Sequence, residues 1–390
     1  MGFKIPDRIR RLPRQFFVEL VAGAEARMAA GHDVINLGRG GPDLPTPPHI
    51  VDRLCHAARD PRTHGYSPFS GLRSLREALA RWYEHKFGVY LDPDREVAIL
   101  FGSKTGLVEI SLCVLEAGDT CLMPDPGYPD YWSGVALAGA RTLSMPLVAS
   151  NHFLPDYDSL SAADLRSARL MFLNYPCNPT ATVAPLEFFR ETVAFAARHG
   201  IIVAHDLAYG DLVFDGRRPV SFLQAEGAKE LGVEFYTLSK SYNMAGWRVG
   251  FAAGNASVIE AITTLQDHLF VSLFPAVQTA AIEALLGEQG CVADLVRTYQ
   301  ERRDTLIDGL LATGWEVPRP EGTFYAWLPV PRGFTSREFT GYLLEKADIV
   351  VAPGTGFGPV GEGYVRASLT APRERIAEAV QRIRSLPLFA

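Results

Sequence analysis

Between about residues 47 and 280 the chain alternates short apolar runs with helix-length stretches, and this alternation narrows its fold more than anything else in the sequence. The runs are residues 97–100, 120–123, 170–173, 201–204, 235–238 and 249–252. Runs this short and this continuously apolar read as strands buried on both faces. Strands separated by helices belong to a mostly parallel sheet with helices on both sides, because a helix returns the chain to a parallel neighbour. Ligands of such sheets bind outside the carboxyl ends of the strands. Chemistry is therefore to be sought at the ends of these runs.

From about residue 281 the pattern changes. Residues 292–311 read as one long helix rich in arginine and acids, residues 322–328, 348–352 and 364–369 as strands, and residues 372–386 as a closing helix. This describes a smaller α+β unit. No internal repeat or low-complexity segment interrupts either part.

Polar residues gather at the run ends. Residues 97–100 lead into Phe101-Gly102-Ser103-Lys104-Thr105-Gly106, followed by a helical pattern from Leu107. A Gly/Ser turn that opens a helix offers an anion free backbone N–H groups and the positive end of the dipole. Residues 201–204 end in His205-Asp206, with Tyr209 just beyond. The acid faces the crevice or, more plainly, caps a helix. Asn178 follows residues 170–173 in the stretch from Asn174 to Ala181, where Asn-Pro also makes an ordinary turn. Tyr128 and Tyr131 follow residues 120–123, and an aromatic there can stack on a flat ring for about 1 kcal/mol beyond its area burial.

Lys240 lies among hydroxyls in Thr237-Leu-Ser239-Lys240-Ser, and Arg248 follows in Gly246-Trp-Arg248. A lysine becomes a nucleophile when desolvation or a nearby cation lowers its pKa, and arginine presents a rigid fork suited to phosphate and carboxylate. Arg366 sits in a strand-like run, where a charge without a partner is costly. Gly38, lacking a Cβ, would let the backbone approach the same ligand. Arg39 beside it reads as a surface or interface charge.

Together, and over essentially the whole chain, these motifs resemble the aminotransferases of pyridoxal phosphate (PLP) fold type I. The resemblance implies a mostly parallel seven-stranded sheet sandwiched by helices, with a large PLP-binding domain over residues 47–280. Residues 1–46 and 281–390 would form the small domain with an N-terminal arm. It implies that Lys240 is catalytic, forming a Schiff base with the cofactor aldehyde and then moving a proton. Ser103, Lys104, Thr237, Ser239 and Arg248 would hold the phosphate, Asp206 the pyridinium nitrogen, Asn178 and Tyr209 the phenolic oxygen, and Tyr128 the ring face. Tyr66 would reach the phosphate of the partner subunit in a homodimer. Gly38, Asn178, Arg366 and Tyr131 would bind substrate, Arg366 through its α-carboxylate. Ala181 stands where the family usually has glycine, which alters the turn after Asn178.

Within the family, residues 64–71, 125–135, 237–250 and 266–274 resemble a bacterial methionine-salvage subgroup. That subgroup moves an amino group, often from glutamine, onto 4-methylsulfanyl-2-oxobutanoate. Residues 266–275 contain no arginine, only His268, and Phe270, Leu273 and Phe274 are expected to form an apolar wall suited to a thioether or an aromatic. LL-diaminopimelate aminotransferases share the Asn-Met-x-Gly-Trp-Arg style of motif, but their N-terminal substrate tyrosine corresponds to Gln15 here. Aspartate-type and broad aromatic aminotransferases are alternatives. So is a PLP β-lyase on the same fold, which would release pyruvate and ammonia without a 2-oxo acid acceptor.

Composition excludes several other classes. A net charge of -6 with no basic block argues against a nucleic-acid partner. Five scattered cysteines with no Cys-x-x-Cys argue against a metal knuckle or a disulfide framework. No apolar run of about 18 residues is long enough to cross a membrane, and no secretory signal is visible at the N-terminus. The amphipathic residues 16–21 are expected to pack on the protein. The expectation is a cytoplasmic, metal-free enzyme that acts on small amino and 2-oxo acids.

Overall fold

The structure, a computed structural model, describes residues 4–13 and 16–389, without the side chains of residues 16–21. Gln15 and the packing of residues 16–21 therefore lie outside the described residues. Twelve strands are described: β1 (Ile35–Asn36), β2 (Val97–Phe101), β3 (Thr120–Asp125), β4 (Arg141–Pro146), β5 (Ala168–Leu173), β6 (Ile202–Asp206), β7 (Gly232–Thr237), β8 (Val249–Gly254), β9 (Tyr325–Pro329), β10 (Ile349–Val350), β11 (Ala352–Pro353) and β12 (Tyr364–Ser368).

Seven of them form one sheet in the order β2-β8-β7-β6-β5-β3-β4. All run parallel except β8, which is antiparallel to both β2 and β7. Both faces of this sheet are covered, and the strands show it residue by residue. Val97, Ile99, Tyr236, Val249 and Phe251 join one apolar cluster, with the helices Arg73–Phe87, Leu186–His199 and Pro275–Leu286. Their neighbours Ala98, Leu100, Phe235 and Ala252 join another, with the helices Ser103–Val114, Asp130–Ala138 and Ala256–Leu269. Alternation of side chains across a strand, with both sides apolar, is what a sheet inside two helical layers requires.

Every run foreseen as a strand carries strand, to within a few residues, but residues 348–352 divide between β10 and β11, which belong to different sheets. The run at 235–238 ends sooner than expected, because Leu238 already opens a short helix capped by Thr237. The edge strand β4 was not foreseen. Its sequence, Arg-Thr-Leu-Ser-Met-Pro, is mostly exposed and carries no apolar run.

The remaining strands build a three-stranded antiparallel sheet, β11-β12-β9, and the short parallel pair β1-β10. Their apolar faces pack with the helices Gly290–Leu311 and Arg373–Arg384, around Trp315, Phe339 and Ile376. A buried carboxylate ties β6 and β7 together. Glu234 accepts hydrogen bonds from Tyr83 Oη (3.0 Å), Ser221 Oγ (2.6 Å), the Phe222 N–H (2.8 Å) and His205 Nδ1 (2.7 Å). It fixes His205, and with it the adjacent strand terminus at Asp206.

Candidate active site

A cavity of about 580 Å³ opens at the carboxyl ends of the parallel strands, against the three-stranded sheet. The parallel strands deliver their last residues to it: Asp206 from β6 and Thr237 from β7. Because β8 runs the other way, its start faces the cavity, and Arg248 arrives opposite Ser103, which follows β2.

Arg248 and the turn before Ser103 fit closely. A Cβ on Gly102 would lie 2.1 Å from Arg248 Nη2, and the φ of Gly102 is +77°. Only glycine meets both conditions. The helix that begins at Ser103 has no side-chain cap, so its first N–H groups remain open to an anion. Thr237 Oγ1 donates to Val249 O (3.0 Å) and accepts from the Ser239 N–H (3.2 Å), which brings both hydroxyls to the same end. Lys104 also lines the cavity, half-exposed and paired with Asp130 at 2.9 Å.

Lys240 lies half-buried in the cavity wall. Its Nζ donates to Gly40 O at 3.2 Å and stands 5.4 Å from the ring centroid of Phe324. Burial, and next the nearby Arg366, bring its amine down to about 8, so a sizeable neutral fraction exists near neutral pH.

Asp206 is buried in the cavity lining. Its Oδ2 accepts from Tyr131 Oη (2.8 Å) and its Oδ1 from the Ala208 N–H (3.1 Å), which closes a local turn; no helix follows directly, so Asp206 is not the helix cap of the plainer reading. Burial raises its carboxyl to about 6, and the Tyr131 hydroxyl draws it partly back. Asn174 braces this corner: its amide donates to Asp206 O (2.7 Å), and its Oδ1 accepts the N–H of Asn178 (2.7 Å).

Arg366 stands on β12, almost wholly buried. Its Nη1 donates to Asn178 Oδ1 (2.8 Å), its Nη2 lies 3.4 Å from Gly38 O, and its guanidinium covers the Tyr325 ring at 4.0 Å. Tyr325 links several parts of the site: its hydroxyl donates to Gly40 O (3.0 Å) and accepts from Tyr209 Oη (3.2 Å). Sequence reasoning missed Tyr325, Gly40 and Asn174. The first two touch across 285 positions of the chain, which no local pattern reveals.

Twelve of the foreseen residues line this one cavity: Gly38, Ser103, Lys104, Tyr128, Asn178, Asp206, Tyr209, Thr237, Ser239, Lys240, Arg248 and Arg366. Two do not. Tyr131 was expected on the substrate side. It lies fully buried, stacked on Phe172 at 4.8 Å, and reaches the cavity through the Asp206 carboxylate and its edge-on contact with Tyr128. Tyr66 is 93% exposed and outside the chain's own cavity. The expected apolar wall is also absent from it: Leu273 is buried in the core around the helix Pro275–Leu286, while Phe274 is exposed and Phe270 packs edge-on against Phe101.

The donor set fits PLP. An uncapped helix start, two hydroxyls and an arginine form an anion cradle that a Cβ at Gly102 would fill. A depressed amine, a buried carboxylate and a tyrosine face the same space. Among the described residues no cluster of His, Cys, Asp and Glu could hold a metal ion.

Comparison with known proteins agrees. A family described as aminotransferase class I and II matches residues 32–383. The L-glutamine--4-(methylsulfanyl)-2-oxobutanoate aminotransferase of Bacillus subtilis is 57% identical over 389 residues, which cover 100% of this chain and 98% of that one. The LL-diaminopimelate aminotransferase of Moorella thermoacetica is 48% identical over 377 residues, 97% of each. The substrate-bound BacF structure from Bacillus subtilis superposes with a TM-score of 0.95 at 46% identity, over 99% of each chain.

Proposed function

The chain belongs to the class I and II aminotransferases, a PLP-dependent family of enzymes, and from that membership we propose that it makes methionine from 4-methylsulfanyl-2-oxobutanoate with glutamine as amino donor. The observation that carries the substrate choice is the 57% identity, end to end, with a relative named for that reaction, against 48% for a diaminopimelate enzyme.

PLP, when bound, supplies an aldehyde that amino groups add to and a charged ring that takes up negative charge from the substrate α-carbon. The chain's own residues do the rest. Ser103, Lys104, Thr237, Ser239 and Arg248 would hold the phosphate, with the open N–H groups of the helix beginning at Ser103. Asp206 would serve as the ionised partner that keeps the ring nitrogen protonated; Tyr131 orients its carboxylate and Asn174 holds its backbone carbonyl. Tyr128, in the cavity lining, would stack on the ring. Tyr209 and Asn178 would donate to the phenolic oxygen, Asn178 through its Nδ2, since its Oδ1 accepts from Arg366.

Arg366 takes the α-carboxylate of the incoming amino acid in a bidentate pair, with the backbone at Gly38 and Gly40 beside it. Lys240 Nζ, depressed to about 8 and therefore basic yet readily neutral, removes the α-proton. Amino acid and 2-oxo acid use one site in turn, which gives ping-pong kinetics. Residues 47–280 serve as the large domain and residues 1–46 with 281–390 as the small one. Tyr66, turned away from its own cavity, completes the phosphate site of a second copy in a cytoplasmic homodimer.

The test is a half-reaction screen of the PLP-loaded protein with single amino acids, followed by cofactor absorbance. Methionine and glutamine are expected to convert it quickly and aspartate slowly. A clear preference for aspartate or LL-diaminopimelate would move the chain to the alternative subgroup, and release of pyruvate and ammonia from a cysteine conjugate without an acceptor would mark a β-lyase.

A further inference from the structure

One cation at the cavity has no assigned task. Arg39 lines the cavity, is exposed, and makes no hydrogen bond or ion pair among the described residues. The other cavity cations are engaged. Lys104 pairs with Asp130, Arg366 donates to Asn178, and Arg248 donates to Ala245 O.

The backbone that carries Arg39 is fixed on both sides. Before it, the Leu37 N–H donates to Val350 O (2.9 Å), Leu37 O accepts from Ser368 N–H (2.7 Å), and the Gly38 N–H donates to Asn36 Oδ1 (3.0 Å). After it, Gly40 O accepts from both Lys240 Nζ (3.2 Å) and Tyr325 Oη (3.0 Å), and Asp43 is held by Arg302 (2.9 Å). The side chain itself has room: a Cβ on Gly41 would meet nothing within 4 Å, and one on Gly40 nothing nearer than 3.5 Å. A rigid base and a free head describe an arginine able to turn into the cavity or out to water.

Its place matters as much as its freedom. The residue next to it, Gly40, touches Lys240 and approaches Arg366, the two groups assigned to the α-carbon and the α-carboxylate. Adjacent Cα atoms are about 3.8 Å apart, so Arg39 starts one residue from the point where a substrate side chain must leave. Two different substrates share this site. One ends in a thioether, the other in a carbonyl. A buried fixed cation would reject the first, whereas an exposed one stays in water when the chain beside it is apolar and swings in when it finds an acceptor.

Resting on the aminotransferase reading above, the geometry points to Arg39 as a specificity-determining residue that receives the terminal carbonyl or carboxylate of a five-carbon amino donor, glutamine or glutamate, while leaving the apolar partner untouched. The experiment compares half-reaction kcat/KM for glutamine, glutamate and methionine in the PLP-loaded wild type, Arg39→Ala and Arg39→Lys. In Arg39→Ala the glutamine-to-methionine ratio is expected to fall about tenfold, the loss of one charge-assisted hydrogen bond to the amide oxygen at a partly exposed site. The glutamate-to-methionine ratio should fall further, and Arg39→Lys should restore part of the glutamate loss but little of the glutamine loss, because the point charge that lysine keeps attracts a carboxylate far more than a neutral amide. Unchanged ratios in Arg39→Ala overturn the inference, whether the three rates stay put or fall together. A wild type that converts methionine but neither five-carbon donor also overturns it. A wild type that converts none of the three removes the substrate reading beneath it.

Discussion

Asp206 shows at the scale of one residue how the site trades stability for function. Its carboxyl is raised from an ordinary 3.8 to about 6, chiefly by burial. The folded, cofactor-free chain therefore binds this proton more tightly than the unfolded chain does. The stability that goes with it is complete below pH 4 and is lost as pH rises through about 6. At pH 8 the buried carboxylate costs on the order of 3 kcal/mol at most, at 1.36 kcal/mol per pKa unit. In Asp206→Asn the amide oxygen still accepts from the Ala208 N–H, and the amide nitrogen can donate to the Tyr131 oxygen. That variant without cofactor should be more stable than wild type at pH 8 by about 1–3 kcal/mol in denaturant titrations, with no gain at pH 4. It should also hold PLP less well. A variant less stable at pH 8 would mean that the carboxylate is not under strain. The sequence alone located Asp206 because it ends an apolar run. It misplaced Tyr131, because residue type and spacing do not reveal that the first turn of a helix points this hydroxyl at the carboxylate.

At the scale of elements, the anion cradle depends on one strand running against its neighbours. The reversed β8 brings Arg248 to the start of the helix Ser103–Val114, and only the missing Cβ of Gly102 leaves room for the guanidinium. Gly102→Ala places a methyl 2.1 Å from Nη2 at a φ of +77°. Equilibrium dialysis should show at least about tenfold weaker PLP binding, or 1.4 kcal/mol, with weaker inorganic phosphate binding in parallel. Unchanged affinity for both would place the phosphate elsewhere. The buried strands were legible because apolarity on two faces leaves a continuous run. The edge strand β4 was not, since its polar, exposed sequence differs little from a loop. The apolar wall expected from residues 270–274 failed for a related reason: sequence gives their character but not the cavity they face.

At the scale of the whole molecule, the single chain leaves several aromatic side chains exposed. Tyr66 is 93% exposed, Phe69 55% and Phe101 46%, the last immediately before the cradle glycine. Covering them with a second copy is the economical reading of exposed aromatics. Light scattering of the loaded enzyme should give about twice the mass of one chain, and dilution that dissociates it should lower activity. A fully active monomer would leave Tyr66 without its proposed task. The account as a whole stands on Lys240, and one measurement tests it most directly. Mix PLP-loaded wild type and Lys240→Ala with methionine in single turnover, and quantify the 2-oxo acid released. Wild type should yield about one equivalent per site, and the variant should be slower by at least about 10²–10⁴-fold, the usual worth of a positioned base. A Lys240→Ala protein that releases 2-oxo acid at the wild-type rate would contradict the account.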